Sequence, residues 1–163
     1  MIRAVMLTNY TVTTVAGQTA SGYVDAIDGS SAQFGNPNGI AYHPSSDSLL
    51  VADSSYHLIR SISVATRSVT TIAGYNTHPP WTTNSGFMDG VGSLARFRSP
   101  VGIAVDPHTG IAYVTDESNG ALRCINISTG TVLTLAGSYP ATSFGYINGN
   151  GTVARFNYPF GID

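Results

Sequence analysis

Two acid–base pairs occur at the same spacing in the sequence. Asp53 precedes Arg60 by seven residues, and Asp116 precedes Arg123 by seven residues. The two pairs lie at equivalent positions of two segments, 34–74 and 97–137, that repeat each other. Carboxylates at repeated positions could form a catalytic or metal-binding set. A residue that recurs in every copy of a repeat, however, meets the same structural requirement each time. We therefore predict that each carboxylate caps its own turn and pairs with the arginine on a neighbouring strand, which offsets the cost of burying charge.

Two further arginines, Arg96 and Arg155, occur in a repeated Ala-Arg-Phe tripeptide. Because the tripeptide recurs, we assign these arginines the same structural role as Arg60 and Arg123. The sequence therefore predicts no catalytic residue among the repeated charges.

Three glycine-rich segments, at 22–29, 86–92 and 145–151, resemble candidate phosphate or calcium loops. No strand-to-helix context supports a phosphate loop. The acidic spacing does not match the Asp-x-Asp-x-Asp-Gly calcium pattern, and the third segment carries asparagines instead. We predict that these glycines form turns, and we predict no cofactor. The acidic residues concerned are Asp25, Asp28 and Asp89.

Histidine and cysteine are the remaining candidate metal ligands. His57 and His78 fall in loops predicted at one end of the fold, but a zinc site generally needs three protein ligands, so we predict no metal site. His43 and His108 fall in turns at the opposite end, where we expect surface residues. Cys124 lies within a predicted strand, where a buried, unreactive thiol is expected.

Residues that occur in only one copy of the repeat are better candidates for ligand contact, because folding does not require them. The segment His78-Pro-Pro-Trp81 carries the single tryptophan on a loop stiffened by two prolines. An exposed aromatic residue on a stiff loop suits a contact anchor, although Trp81 could instead cover the gap between two repeats. The predicted ligand-contact set is Trp81, His78, Tyr56, His57 and Asn119.

The composition indicates the elements that must position these residues. All seven basic residues are arginine, and only one of the nine acidic residues is glutamate. Lysine and glutamate are typical of exposed helices, so their scarcity favours an all-β fold rich in short strands. The net charge of −2 argues against nucleic acid as a partner. Apolar runs of four or five residues are far below the ~20 that a membrane helix needs.

An internal repeat organises most of the chain. Residues 34–74 and 97–137 align without a gap and are identical at 16 of 41 positions. Each unit contains four short apolar stretches separated by turn residues, which is typical of one blade of a β-propeller. In the second unit these stretches are Gly102–Val105, Ile111–Thr115, Ala121–Ile127 and Val132–Ala136. We predict a lead-in at 1–11 and a propeller segment at 12–163. Partial strands are expected at 12–16 and 159–163.

The linked motifs resemble the NHL repeat. They run from Gly86-Phe-Met-Asp-Gly-Val-Gly-Ser-Leu-Ala-Arg-Phe97 through Ser99-Pro-Val-Gly-Ile-Ala-Val-Asp-Pro107 to Leu135-Ala-Gly137. The Asn-His pair usual in the family is Tyr56-His57 in the first unit and Asn119-Gly120 in the second. Because NHL propellers typically use about six blades, the resemblance implies a fragment of a larger propeller. Its exposed blade faces also predict self-association.

The resemblance implies three functional classes. Such repeats most often serve as non-enzymatic scaffolds, so we expect a protein, peptide or carbohydrate partner. The alternative is a segment of a propeller hydrolase or lyase with a metal site in the central channel. There the convergent set would be Asp53, His57, Asp116 and Asn119. RNA binding, known in some NHL proteins, is opposed by the absence of lysine and the net charge of −2.

Overall fold

The fold consists of short antiparallel strands. We describe residues 1–76, 84–137 and 144–163 of a computed structural model of the chain. The strands are β1 (Ile2–Val5), β2 (Val12–Ala16), β3 (Pro37–His43), β4 (Ser48–Asp53), β5 (Leu58–Ser63), β6 (Val69–Ala73), β7 (Gly90–Val91), β8 (Pro100–Asp106), β9 (Ile111–Asp116), β10 (Ala121–Asn126) and β11 (Thr131–Ala136).

Helical structure in the described ranges is limited to single 3₁₀ turns. These turns are Gly29–Ser31, Pro44–Ser46, Ser54–Tyr56, Gly92–Leu94, Glu117–Asn119 and Gly151–Val153. Within these ranges no helix is long and apolar enough to cross a membrane.

The strands form two blades and a half-blade. The first blade has the order β3-β4-β5-β6, and the second has β8-β9-β10-β11, with the short β7 added at its outer edge. All these pairings are antiparallel. The predicted all-β fold, a β-propeller segment of four-stranded antiparallel blades, is confirmed.

The N-terminal residues extend the repeat further than the sequence analysis expected. Strand β1 lies in the predicted lead-in and pairs with β2. The register of this pair shifts between Ile2 and Arg3, just as the register between the third and fourth strands of each blade shifts beside Arg60 and Arg123. The β1–β2 pair therefore repeats the outer half of a blade.

Side-chain chemistry ends the strands at the turns. In the second blade, Asp106 accepts hydrogen bonds from the backbone N–H of His108 and the hydroxyl of Thr109, which forms an Asx turn. His43 occupies the corresponding position in the first blade, and its Nδ1 lies 2.6 Å from the Ser46 hydroxyl. The prediction that His43 is a surface residue is wrong, because this contact holds the ring inward with 7% exposure.

Apolar side chains fill the space between neighbouring sheets. The core between the two blades contains Leu50 and Ile59 from the first blade and Val114 and Ile125 from the second. Phe97, which precedes β8, is fully buried in this core. Burying such a ring contributes roughly 1.5–3 kcal/mol, so the repeated phenylalanine stabilises the stacking of one blade on the next.

The innermost strands approach each other closely at glycine. A Cβ placed on Gly39 in β3 would lie 2.3 Å from the Val101 carbonyl oxygen in β8. A Cβ placed on Gly102 would lie 2.3 Å from the Phe160 carbonyl oxygen. Residues 159–163 therefore lie beside β8 as β8 lies beside β3. They are not assigned as a strand, since no described strand pairs with them.

Candidate functional site

The arginine on the third strand of the second blade is the centre of a buried network. Arg123 is fully buried, and its Nη1 lies 2.8 Å from Asp116 Oδ2 while its Nη2 lies 2.8 Å from Asp89 Oδ1. The same nitrogens donate to the carbonyl oxygens of Arg96 and Met88. This guanidinium therefore joins the strand to the linker that precedes the blade.

The first blade contains the same network with a different balance of distances. Arg60 is fully buried, and its Nη2 lies 2.7 Å from Asp25 Oδ1. Asp53 Oδ2 lies 3.6 Å from Arg60 Nη1, so the linker carboxylate makes the closer contact. Asp25 also accepts hydrogen bonds from the backbone N–H and hydroxyl of Thr71 in β6. We call each of these Asp–Arg–Asp networks an arginine latch.

The repeated aspartates cap a different segment from the one predicted. Asp53 accepts hydrogen bonds from the backbone N–H groups of Gly35 and Asn36, and Asp116 accepts one from Arg98. Neither side chain caps the 3₁₀ turn that follows it. The expected capping of their own turns is therefore wrong, because the segment entering the first strand provides nearer donors. The predicted pairing with arginine is present in both blades.

Burial dominates the electrostatics of these carboxylates. Desolvation raises the pKa of Asp116 to about 6, although Arg123 and the side chain of Asn119 act in the opposite direction. Desolvation likewise raises the pKa of Asp53. Burying these two carboxylates costs free energy of desolvation, and their hydrogen bonds to the framework offset part of that cost. This arrangement fits a structural role better than contact with a ligand.

Two residues of the predicted ligand-contact set serve mainly to pack the blades. Asn119 is 2% exposed, and its Nδ2 donates to Gly86 O and Asp116 Oδ2, each at 2.8 Å. The structure therefore places Asn119 inside the framework and not on a surface open to ligands. The half-buried ring of Tyr56 packs against Tyr23, with 5.2 Å between the ring centroids.

The arginines of the Ala-Arg-Phe tripeptides make local contacts. The Arg96 guanidinium lies over the ring of Tyr75, with its central carbon 4.1 Å from the centroid. Arg155 Nη1 donates to the carbonyl oxygens of Thr152, Val153 and Ala154. Both arginines thus stabilise the linkers beside the strands.

The other sequence candidates take no part in a described site. Burial raises the pKa of the half-buried Cys124 thiol, so it stays protonated near neutral pH. His78 and Trp81 lie outside the described residues. In the described part of the chain, no group of three or more His, Cys, Asp or Glu side chains could hold a metal ion.

An open cavity of about 380 Å³ lies where the two blades meet. We call it the junction pocket. It is lined by Asn36, Asn38, Ser54, Ser55, His57, Ser99, Val101, Glu117 and Phe160.

The junction pocket lies along the innermost strands. Asn38, Val101 and Phe160 occupy the middle position of three successive Pro-x-Gly segments. Asn38 Nδ2 donates to the Ser54 hydroxyl at 2.7 Å, and this hydroxyl donates to the Pro100 carbonyl oxygen of the next blade. The pocket is therefore supported by hydrogen bonds that cross the blade junction.

Two ionisable side chains of the pocket have polar atoms available to a ligand. The Nδ1 of His57 accepts a hydrogen bond from Ser99 N–H at 3.0 Å, which places the proton of the neutral ring on Nε2. Desolvation lowers the pKa of His57, and the nearby Arg98 lowers it further, so the ring is neutral at pH 7. The half-buried Glu117 side chain makes no hydrogen bond or ion pair with any described residue.

Sequence reasoning placed His57 in the ligand-contact set but missed its neighbours. Asn38, Glu117 and Phe160 are absent from that set because the repeated motifs rest on residues that are identical between units. The signal was present as a difference: the residue between proline and glycine is Asn, Val and then Phe. The latch residues Asp25 and Asp89 lie among the few aspartates of the linkers before the complete blades, Asp25 and Asp28 in the first linker and Asp89 in the second.

Comparison with known sequences identifies repeat proteins. No family model matches the chain. NHL repeat-containing protein 2 of Bos taurus is 30% identical over 133 residues, covering 80% of this chain and 18% of that protein. Protein SUPPRESSOR OF QUENCHING 1, chloroplastic, of Arabidopsis thaliana is 29% identical over 150 residues, covering 88% of this chain and 14% of that protein. The chain thus spans under a fifth of either relative.

Solved structures share the fold over nearly the whole chain. A protein of unknown function from Bacteroides thetaiotaomicron superposes with a TM-score of 0.72 at 23% identity, covering 98% of this chain and 36% of that one. An auxiliary nutrient binding protein from Bacteroides ovatus gives a TM-score of 0.68 at 20% identity, covering 100% and 37%. With the repeated motifs, the blade topology and the curated relatives, these similarities establish that the chain belongs to the NHL-repeat β-propeller family.

Proposed function

We propose that this β-propeller segment is a non-enzymatic binding scaffold and that the junction pocket holds the ligand or the contacting part of a partner. We expect this ligand to be a protein, a peptide or a carbohydrate. Ligands of repeat scaffolds commonly meet the loops and the surface around the central axis.

One observation carries the proposal. The positions lining the pocket differ between blades except for Ser55, which corresponds to Ser118, whereas the positions of the arginine latch are the same in both. His57 and Glu117 correspond to Gly120 and Ser54 in the other blade. Because each blade must form the same fold, side chains that differ between blades and also line an open pocket are better candidates for ligand contact than the repeated ones.

The neighbours in structure give weaker support. Two of the proteins with this fold, from Bacteroides thetaiotaomicron and Bacteroides ovatus, carry the description auxiliary nutrient binding protein. Their identity with this chain is 22% and 20%, so they support a binding role by analogy of fold.

An NMR screen of small polar molecules and short peptides tests the proposal. We expect hits to shift the side-chain amide signal of Asn38 and the imidazole signals of His57 in the full chain. The Asn38→Val variant should lose at least tenfold in affinity for those hits, since valine removes the amide but is the residue that β8 carries at the same position.

The control variant is Leu133→Ala, because Leu133 is exposed on the outer strand β11, away from the pocket residues. It should bind the hits as the natural sequence does. Hits whose affinity is insensitive to Asn38→Val, or a screen with no shift at the pocket, would count against the proposal.

A further inference from the structure

The chemistry of the junction pocket narrows the class of ligand. We infer that it binds one neutral pyranose ring, either a free monosaccharide or the terminal residue of an oligosaccharide. This inference rests on the proposed function and adds to it a ligand class.

The junction pocket supplies both hydrogen-bond donors and hydrogen-bond acceptors. A sugar hydroxyl both donates and accepts, so a sugar site needs donors and acceptors side by side. The side-chain amides of Asn36 and Asn38 offer both kinds of atom at an exposed position. Among the described residues, the Asn36 amide has no hydrogen-bond partner, and Asn38 Oδ1 is not used in its bond to Ser54. His57 Nε2–H adds a donor and Glu117 adds an acceptor.

The junction pocket also has an apolar wall. Phe160 is 63% exposed although it is a large aromatic residue, and it lines the pocket beside Val101. The C–H groups on one face of a pyranose ring are apolar, and an aromatic face covers them while the hydroxyls at the ring edge stay hydrogen-bonded. A pocket with amides on one side and an aromatic ring on the other suits such a two-sided ligand.

The size and the charge of the junction pocket suit a single neutral ring. Small-molecule pockets range from about 300 to 1,000 Å³, and the junction pocket, at about 380 Å³, suits a single ring. Its lining includes one carboxylate and no lysine or arginine. Arg98, which is close enough to His57 to lower its pKa, offsets the charge of Glu117. With His57 neutral, these two charges leave the site without net charge, and its amide and hydroxyl groups favour a neutral ligand over an anion or a cation.

A glycan array followed by calorimetry tests the inference on the full chain. The array should give at least one bound glycan, and the methyl glycoside of its terminal sugar should bind in the calorimeter. We expect Asn38→Val and Phe160→Leu each to weaken this binding at least tenfold. Phe160→Leu keeps the apolar bulk at an exposed position, so folding is preserved. Matching thermal unfolding of variant and natural chains checks this.

Glu117→Gln separates a sugar from a cationic ligand. A glutamine oxygen still accepts a hydrogen bond, so sugar affinity should fall less than tenfold and should hardly change between 50 and 500 mM NaCl. A loss of a hundredfold or more, with strong salt dependence, would overturn the inference in favour of an amine ligand.

Failure of the inference and failure of the proposed function give different results. If no glycan binds but polar fragments or peptides still shift the Asn38 and His57 signals, the sugar inference is overturned and the binding scaffold stands. If neither class of molecule reaches the pocket, both are overturned. Glycan binding that is insensitive to Asn38→Val and Phe160→Leu also overturns the inference. If the terminal monosaccharide alone retains the oligosaccharide's affinity, one ring is the ligand.

Discussion

At the scale of single residues, positions that are identical between blades stabilise the fold, whereas variable positions line the junction pocket. The buried arginines and their aspartates recur because a charge inside each blade must be neutralised in the same way. Sequence reasoning could predict the pairs Asp53–Arg60 and Asp116–Arg123, since both members lie inside the gap-free repeat. It could not predict that Asp25 and Asp89 pair with the same arginines. These two residues lie in linkers of variable length, and only the folded chain brings them close to the guanidinium groups.

The pH dependence of stability should report the burial of Asp116. Its pKa is raised to about 6 in the folded chain, so between about pH 4 and 6 the native state binds more protons than the unfolded state. The contribution of Asp116 to the free energy of unfolding should therefore fall as pH rises through this window, by about 1–3 kcal/mol. Urea unfolding at several pH values measures it.

The matched variant is Asp116→Asn, which removes this titration. Burial raises the pKa of Asp89, but hydrogen bonds from Thr134, with a smaller contribution from Arg123, lower it by more, and the bonds from Thr134 do not involve Asp116. The opposite contribution of Asp89 is therefore largely the same in both proteins and cancels in the comparison. The natural chain should therefore lose stability relative to the variant between pH 4 and 6. Parallel pH profiles for the two proteins would contradict the raised pKa.

At the scale of elements, the periodicity and turn residues were sufficient to predict the blade strands. The stretch expected at Ile111–Thr115 is observed as Ile111–Asp116, and the stretch expected at Val132–Ala136 as Thr131–Ala136. Strand β1 was missed because Ile2–Val5 is short and contains Arg3, a pattern that becomes informative only when aligned with Ile59-Arg60. Local sequence thus defined elements that repeat in full better than those that repeat in part.

The close approach of the innermost strands should make Gly39 intolerant of a side chain. A Cβ at this position meets backbone atoms of Val101 and Ile103, which cannot move without separating the two blades. We expect Gly39→Ala to reduce the free energy of unfolding by about 1–3 kcal/mol, measured by chemical denaturation. Gly161→Ala is the control, since no atom beyond its two chain neighbours lies within 4 Å of its Cβ position. Equal effects of the two substitutions would contradict the packing argument.

At the scale of the whole molecule, the open blade faces determine behaviour in solution. Several large apolar side chains in the last described segment are exposed, including Tyr146, Ile147 and Val153. Such surfaces favour contact with another blade. The repeat predicted the blades, but the number of blades that meet in solution depends on surfaces and not on the pattern within one repeat.

We expect the chain to self-associate. Light scattering after size exclusion, over a tenfold range of concentration, should give a mean mass that rises above the 17.0 kDa of one chain. A trimer whose mass is independent of concentration would indicate a closed assembly in place of open-ended association. A mass of one chain at every concentration would contradict the expectation.

The arginine latch also determines what happens when the chain is cut. Asp89 in the linker accepts a hydrogen bond from the backbone N–H of Thr134 in β11, 45 residues later, and Asp25 accepts one from Thr71 in β6 in the same way. Side-chain hydrogen bonds therefore hold the linker before each blade to the fourth strand of that blade. A protease that cleaves an exposed turn inside a blade, such as the one after Asp106, would leave both pieces attached. Nicked and intact protein would then migrate together until a denaturant released the fragments.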